Sequence, residues 1–190
     1  MTYRSFYLVR HTRPDVEKGL IYGQTDLDVT DTFQEEAREV ASVLTSEGEL
    51  PVYSSPLQRC HKLADYLCNT DPQTDDRIKE MNFGDWEMKS WMDLDRSVIG
   101  HWIQNIETLA PPGGESNSDL KSRSLDFWKE LVAKPGEGAL IVSHYGVIIS
   151  LLSHFLDISI QKAFRMDLNY GTVIRVRIFE DQRYKILFLK

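Results

Sequence analysis

Phe6-Tyr7-Leu8-Val9-Arg10-His11-Thr12-Arg13-Pro14 is a short apolar run that ends in a cation, an imidazole and a second cation. A run of this kind closed by Pro predicts a buried strand, and in an α/β sheet the residues just past a strand's C-terminal edge face the ligand crevice. Arg10 and His11 are therefore expected to point into a site, with His11 as the candidate nucleophile. The guanidinium groups of Arg10 and Arg13 suit a dianion, because their planar forks of donors match phosphate oxygens. Taken alone, the same residues also fit a solvated turn, so the reading depends on what the rest of the chain supplies.

The chain repeats the design. Gly138-Ala139-Leu140-Ile141-Val142-Ser143-His144-Tyr145-Gly146 is a second apolar strand with a His at its end and a turn into an apolar helix over 147–155. A serine-hydrolase reading of Ser143 and His144 fails, since neighbours on a strand point to opposite faces and no Gly-x-Ser-x-Gly elbow is present. Between these strands, Pro51-Val52-Tyr53-Ser54-Ser55-Pro56-Leu57-Gln58-Arg59 predicts a brief strand leading into a helix, with Ser55 as N-cap and Pro56 at its first position. The free amides and dipole of that helix start would favour an anion, and Arg59 lies near it. Arg59 could instead merely cover the helix surface. Two strand-end His together with Arg10 and Arg59 make one cationic constellation.

The remaining segments frame it. The polar stretch 15–29, punctuated by Gly19 and Gly23, reads as a long loop, and its Tyr22-Gly23-Gln24-Thr25-Asp26 places amide, hydroxyl and phenol donors near Arg10. A helix is expected from a cap at Thr30 or Asp31 to about Glu47, closed by Gly48, with Phe33, Ala37, Val40, Ala41 and Leu44 on one face. Glu80 precedes Met81-Asn82-Phe83-Gly84-Asp85-Trp86-Glu87; apolar surroundings favour a protonated carboxyl, as a general acid requires, and Glu87 is the competing carboxyl. A helix is expected over 90–109, whose Trp91, Leu94, Val98, Trp102 and Ile106 could be core or could wall a substrate pocket. Pro111 to Ser116 breaks the chain before a long helix carrying Leu120, Ser124, Phe127 and Leu131, with Glu115 complementing its dipole. A terminal hairpin is expected over 172–189.

Composition narrows the class. With 190 residues and no Pro/Gly/Ser-rich linker, a single domain over 1–190 is expected. A formal charge of −7 argues against a nucleic-acid surface. The absence of a roughly 20-residue apolar run argues against a membrane partner, and without a leader-like N-terminus a cytosolic protein is expected. Cys60 and Cys68 stand too far apart along one helix for a disulfide, and scattered His without zinc-type spacing argue against a zinc site.

Arg10-His11-Thr12, Ser54-Ser55-Pro56-Leu57 with Arg59, Glu80 with Phe83-Gly84-Asp85-Trp86-Glu87, and Ser143-His144-Tyr145-Gly146 occur in an order that resembles the histidine phosphatase superfamily, the phosphoglycerate-mutase-like fold. The resemblance spans almost the whole chain. Thr12 stands where the signature has Gly, and Tyr145 where Gly or Ala is common. Arg10-His11-Thr12-Arg13-Pro14 followed by Tyr22-Gly23-Gln24-Thr25-Asp26 looks most like the α-ribazole phosphatase branch, which often carries Thr at that place. The resemblance implies a three-layer α/β sandwich with a mostly parallel central sheet. It also implies a metal-independent phosphomonoesterase that needs no cofactor and acts through a phosphohistidine on a small-molecule phosphomonoester. His11, Glu80, Arg10, Arg59 and His144 would be catalytic; Arg13, Gln24 and Tyr145 are the further candidates for binding substrate. A phosphoglycerate mutase and a non-catalytic phosphate-binding module are the alternatives.

Overall fold

The structure is a computed structural model and describes residues 2–44 and 50–190. The opening run forms β1 (Tyr3–Arg10), with Phe6 to Val9 buried. Then come α1 (Phe33–Leu44), β2 (Val52–Ser54), α2 (Gln58–Leu67), β3 (Gln73–Thr74), α3 (Arg96–Gln104) and α4 (Asn117–Ala133). The second apolar run is β4 (Gly138–Ser143), followed by α5 (Tyr145–Phe155), α6 (Ile160–Ala163), β5 (Val173–Phe179) and β6 (Tyr184–Phe188).

The six strands form one sheet in the order β3-β2-β4-β1-β5-β6. β1 to β4 pair in parallel, whereas β5 and β6 run antiparallel as the expected hairpin. Alternation along the strands puts side chains on opposite faces. Phe6, Leu8 and Ile141 join a core with Leu120, Phe127 and Trp128 of α4 and Ile148 and Leu151 of α5. Tyr7, Val9, Leu140 and Val142 join a second core with Ala37 and Val40 of α1 and Cys60, Leu63 and Ala64 of α2. Two cores on one sheet give the three-layer α/β architecture. No helix among the described residues is long and apolar enough to cross a membrane.

Several boundaries differ from expectation. The predicted end of α1 at Glu47 and Gly48 lies outside the described residues. α2 begins at Gln58, not at the Ser-Pro pair, and has no side-chain cap. The helix expected over 90–109 shrinks to Arg96–Gln104, started by Asp95, whose carboxylate accepts from the backbone N–H of Ser97 and Val98. α4 begins with a capping box between Ser116 and Asp119, so its dipole partner is Asp119, and Glu115 is used elsewhere. Cys60 and Cys68 are free.

Candidate active site

Strand register brings the two histidines together. On adjacent parallel strands Arg10 is the partner of Ser143, and the His11 N–H donates to the Ser143 carbonyl at 3.0 Å. The next residues, His11 and His144, therefore sit side by side with ring centroids 5.1 Å apart. β2 ends at the same level, since Ser54 pairs with Val142 and the Ser55 N–H donates to the Val142 carbonyl at 3.0 Å. The Ser55 hydroxyl meets His144 Nε2 at 2.8 Å, and the Cys60 thiol lies 3.3 Å from the same nitrogen. Ser55 is thus a partner of His144; its hydroxyl also accepts from the Leu57 N–H at 3.3 Å, as a cap would, but α2 starts later and its N-cap position is Leu57.

His11 is fully buried, and its Nδ1 lies 2.6 Å from the Thr12 carbonyl. A carbonyl can only accept, so Nδ1 carries the hydrogen and Nε2 of the neutral ring is left with its lone pair. That Nε2 is buried and has no hydrogen-bond partner among the described residues. Burial, followed by the nearby charges of Arg59 and Arg10, holds the His11 pKa well below its usual value, against a smaller opposing effect from the Thr12 carbonyl. His11 is therefore an unprotonated imidazole at neutral pH. His144 is likewise pushed well down by burial, then by Arg59, His11, Arg123 and Arg10. The positive charge of the protein here comes from Arg10 and Arg59, and His144 contributes as a neutral hydrogen-bonding ring rather than as a third cation.

The two arginines are aimed by aromatic faces and carbonyls. Arg10 donates from Nη1 to the Leu168 carbonyl, and its guanidinium lies 4.2 Å from the Tyr170 ring centroid and 5.3 Å from that of Tyr145. Arg59 is fully buried, donates to the carbonyls of Thr25 at 2.8 Å and Gly23 at 2.7 Å, and lies 5.1 Å from the Tyr22 ring. It does not cover the helix surface. The Tyr22 and Tyr170 hydroxyls meet at 3.2 Å, and the Tyr170 ring lies 5.5 Å from that of His11. The anion site expected at the start of α2 is already filled from within, because the Gln58 N–H donates to the Asp26 carboxylate at 2.8 Å.

Glu80 is 9% exposed; it lines a largely apolar pocket, as its sequence neighbours lead one to expect, and its carboxylate also meets backbone donors. Oε1 accepts from the N–H of Met81 at 2.8 Å and from Gly146 at 3.1 Å, at the N-terminus of α5. Gly146 leaves room for that carboxylate, since a Cβ at that position would fall 2.4 Å from Glu80 Oε1. The Glu80 carbonyl is held by Arg123 Nη2 and by Gln24 Nε2, each at 2.9 Å. Arg123 is itself paired through two nitrogens with Glu115, at 2.7 and 3.0 Å.

The remaining candidates divide. Gln24 sits beside the site and donates one of its side-chain N–H hydrogens to the Glu80 carbonyl. Arg13 is set apart, its side chain 65% exposed beside Glu36 of α1, and it is not brought together with the other site residues. Tyr145 does reach the site, where it lines a pocket of about 350 Å³ that also touches Arg10, Tyr22, Glu80 and Gly146. The rest of the pocket wall is largely apolar, with Leu20, Met81, Phe83, Trp91, Trp102 and Phe164. Trp86 is buried behind it, 5.4 Å from Trp102, so the Trp cluster is core and wall at once. Sequence reasoning missed Tyr170, Glu115 and Arg123, each of which works through a contact to a segment far away in the chain.

The chain is similar to known proteins over nearly its whole length. The model of the histidine phosphatase superfamily (branch 1) matches residues 6–189. A glucosyl-3-phosphoglycerate phosphatase of Mycolicibacterium vanbaalenii is 30% identical over 84% of this chain and 77% of its own length. A candidate phosphoserine phosphatase of Hydrogenobacter thermophilus is 25% identical over 98% of this chain and 95% of its own. The solved structure of a candidate alpha-ribazole-5'-P phosphatase from Escherichia coli superposes with a TM-score of 0.86, covering 98% of this chain and 96% of that one at 22% identity, a likeness of fold. The family match over nearly the whole chain and the paired strand-end histidines lead to one conclusion, that this chain belongs to the histidine phosphatase superfamily.

Proposed function

We propose that the protein is a phosphomonoesterase that works through a phosphorylated His11. The observation that carries this reading is the buried, neutral His11 whose Nδ1–H is committed to the Thr12 carbonyl and whose Nε2 has no partner among the described residues, beside Arg10 and Arg59. In the first step the Nε2 lone pair forms an N–P bond while the ester P–O bond breaks, and Glu80 gives its proton to the leaving oxygen. Arg10, Arg59 and His144 bear on the phosphoryl oxygens, where charge is redistributed in the transition state. In the second step a water oxygen bonds to phosphorus, its proton passes to Glu80, and the N–P electron pair returns to Nε2.

The substrate reading follows from the pocket beside Glu80. Arg10 and Glu80 are the charged residues that line it, and both are committed to the reacting group. A flat, uncharged alcohol such as the nucleoside part of α-ribazole 5′-phosphate suits such walls. A mutase acting on phosphoglycerate would need a further cation for the carboxylate. The reading includes no metal, since guanidinium groups supply the charge, and EDTA should leave the rate unchanged; a loss restored by magnesium or zinc would overturn that part. The central test is rapid quenching into base with substrate carrying labelled phosphate. Acid-labile label on His11 is expected, and label on His144 would exchange the two roles.

A further inference from the structure

Arg59 has to hold a long side chain in one orientation inside the protein, and what aims it is a loop. Its Nη1 and Nη2 are tied to the carbonyls of Thr25 and Gly23, in a segment with no regular secondary structure between β1 and α1. Such a segment is ordered only by what it is bonded to. Its bonds converge on one carboxylate. Glu87 Oε1 accepts from the N–H of Gln24 at 2.9 Å, and Oε2 accepts from the N–H of Thr25 at 2.8 Å and from its hydroxyl at 2.6 Å. The Phe83 N–H adds a fourth bond at 3.1 Å, tying the same carboxylate to the segment that carries Glu80. Gly23 has φ +42°, and a Cβ there would fall 2.2 Å from Glu87 Oε1, so the carboxylate sits directly against the peptide whose carbonyl holds Arg59.

We propose that Glu87 is a positioning residue for phosphoryl transfer: by fixing the Gln24 and Thr25 amides it sets the Gly23 and Thr25 carbonyls that aim Arg59. This assignment rests on the phosphatase reading only for its kinetic consequences. A carboxylate suits the role better than any neutral group, because all four of its bonds are accepted from donors and charge-assisted bonds of this kind are the stronger ones. The side chain touches no reacting atom, and it does not line the pocket that Glu80 lines. The carboxyl that competes with Glu80 in the sequence therefore has a separate task.

Glu87→Gln tests the assignment, because the amide keeps the size but turns a donor toward donors. Binding of orthovanadate, followed by calorimetry, reads the placement of Arg59 without turnover. If the wild-type protein binds vanadate but hydrolyses no monoester, the phosphatase reading fails while the Glu87 test remains intact. Glu87→Gln is expected to weaken vanadate about 10-fold or more. Combined with Arg59→Lys, which loses both carbonyl bonds, it should add no more than about 2-fold to the loss from Arg59→Lys alone, because the two residues act through one network. Glu87→Asp should recover part of the loss. Thr25→Val, which removes a single donor at nearly constant shape, should weaken vanadate about 3-fold with the same lack of additivity, and it serves where Glu87→Gln does not fold. Full multiplication of the Glu87 and Arg59 effects, or unchanged vanadate binding in both Glu87→Gln and Thr25→Val, would overturn the assignment.

Discussion

The two walls of the site are built from different kinds of sequence. The wall proposed to hold the phosphoryl group consists of buried polar groups with defined partners: His11 on Thr12 and His144 on Ser55 just past strand ends, and Arg59, in the first turn of α2, on Gly23 and Thr25. The wall beside it is apolar, drawn from the segment around Phe83 to Trp102 and from Phe164 beyond α5. The two histidines of the first are set by a parallel sheet in register and Arg59 by its bonds to the loop, so small displacements there should cost catalysis. The second is held by aromatic packing, with Phe83, Trp91 and Trp102 in mutual contact and Trp91 39% exposed, and it sets only what fits. Substitutions on the first wall should therefore change the rate for every monoester, and those on the second should change the choice among monoesters.

His11→Ala should show the largest effect. Loss of a covalent nucleophile costs on the order of 10⁴- to 10⁶-fold in kcat, and here it should do so for aryl, alkyl and nucleoside phosphates alike. A variant that kept more than about 1% of wild-type kcat on any of them would break the division at its strongest point.

Glu80→Gln comes next and is selective in a different sense. An alkoxide leaves poorly without a proton, whereas nitrophenolate does not need one, so a loss of about 10²- to 10⁴-fold is expected for an alkyl phosphate and much less for p-nitrophenyl phosphate. Burst kinetics must isolate phosphoenzyme formation, because the second step also uses Glu80. Equal slowing of that first step for both substrates would make Glu80 a binding group that shares the α5 N-terminus.

The phosphoryl wall should also be visible in stability. His11 and His144 have pKa values lowered chiefly by burial, so below about pH 6.5 the unfolded chain binds protons that the folded chain does not. Stability then falls as pH falls, by about 1.4 kcal/mol per pH unit for each histidine until its folded pKa is reached, and the two make no difference above pH 6.5. His154, whose pKa is also lowered by partial burial, adds a smaller slope of the same sign. Urea unfolding at pH 7.5 and 5.5 measures the difference, and His144→Asn should remove about half of what the active-site pair contributes. An unchanged slope in that variant would mean that His144 is protonated in the folded protein.

Parts of both walls are legible in the sequence, the strand-end histidines of one and Trp91, Trp102 and Ile106 of the other. An apolar run ending in Arg10-His11, and another ending in Ser143-His144, are local patterns, and two such strands in one parallel sheet meet at their ends by construction. The three-layer fold, both histidines and both arginines followed from such patterns. What failed depended on partners distant in the chain. Ser55 became a partner of His144 once β2 aligned with β4, and the Asp26 carboxylate took the helix start that had been assigned to phosphate. Arg13 has no local feature that separates it from Arg10, yet it falls past the strand end beside Glu36 on α1. Glu115 carried an adequate local explanation, and its pairing with Arg123 across the Glu80 carbonyl depends on tertiary structure. The short α3 has one buried residue, Trp102, so periodicity over 90–109 overstates how much helix is there.

The smallest predicted effect bears most directly on the comparison. Trp91 lines the pocket but is 39% exposed, so Trp91→Ala removes wall area with less harm to the core than the buried Trp102 would cause. Stacking of a flat ring on an aromatic side chain is worth about 0.5–1.5 kcal/mol beyond area burial, so KM for a nucleoside monophosphate such as α-ribazole 5′-phosphate should rise about 3- to 10-fold. A substrate with no ring to stack, such as glycerol 2-phosphate, should change by less than about 2-fold, since its phosphate is held by the other wall. The ratio of the two efficiencies is the informative quantity, because a general loosening of the fold would lower both together and leave it constant. Wild-type efficiency on 3-phosphoglycerate should lie below that on the nucleoside phosphate for the same reason, as the apolar wall offers its carboxylate no cation. If Trp91→Ala lowers all efficiencies equally, the tryptophan supports the geometry of the phosphoryl wall, and the two regions are one mechanical unit instead of two separable ones.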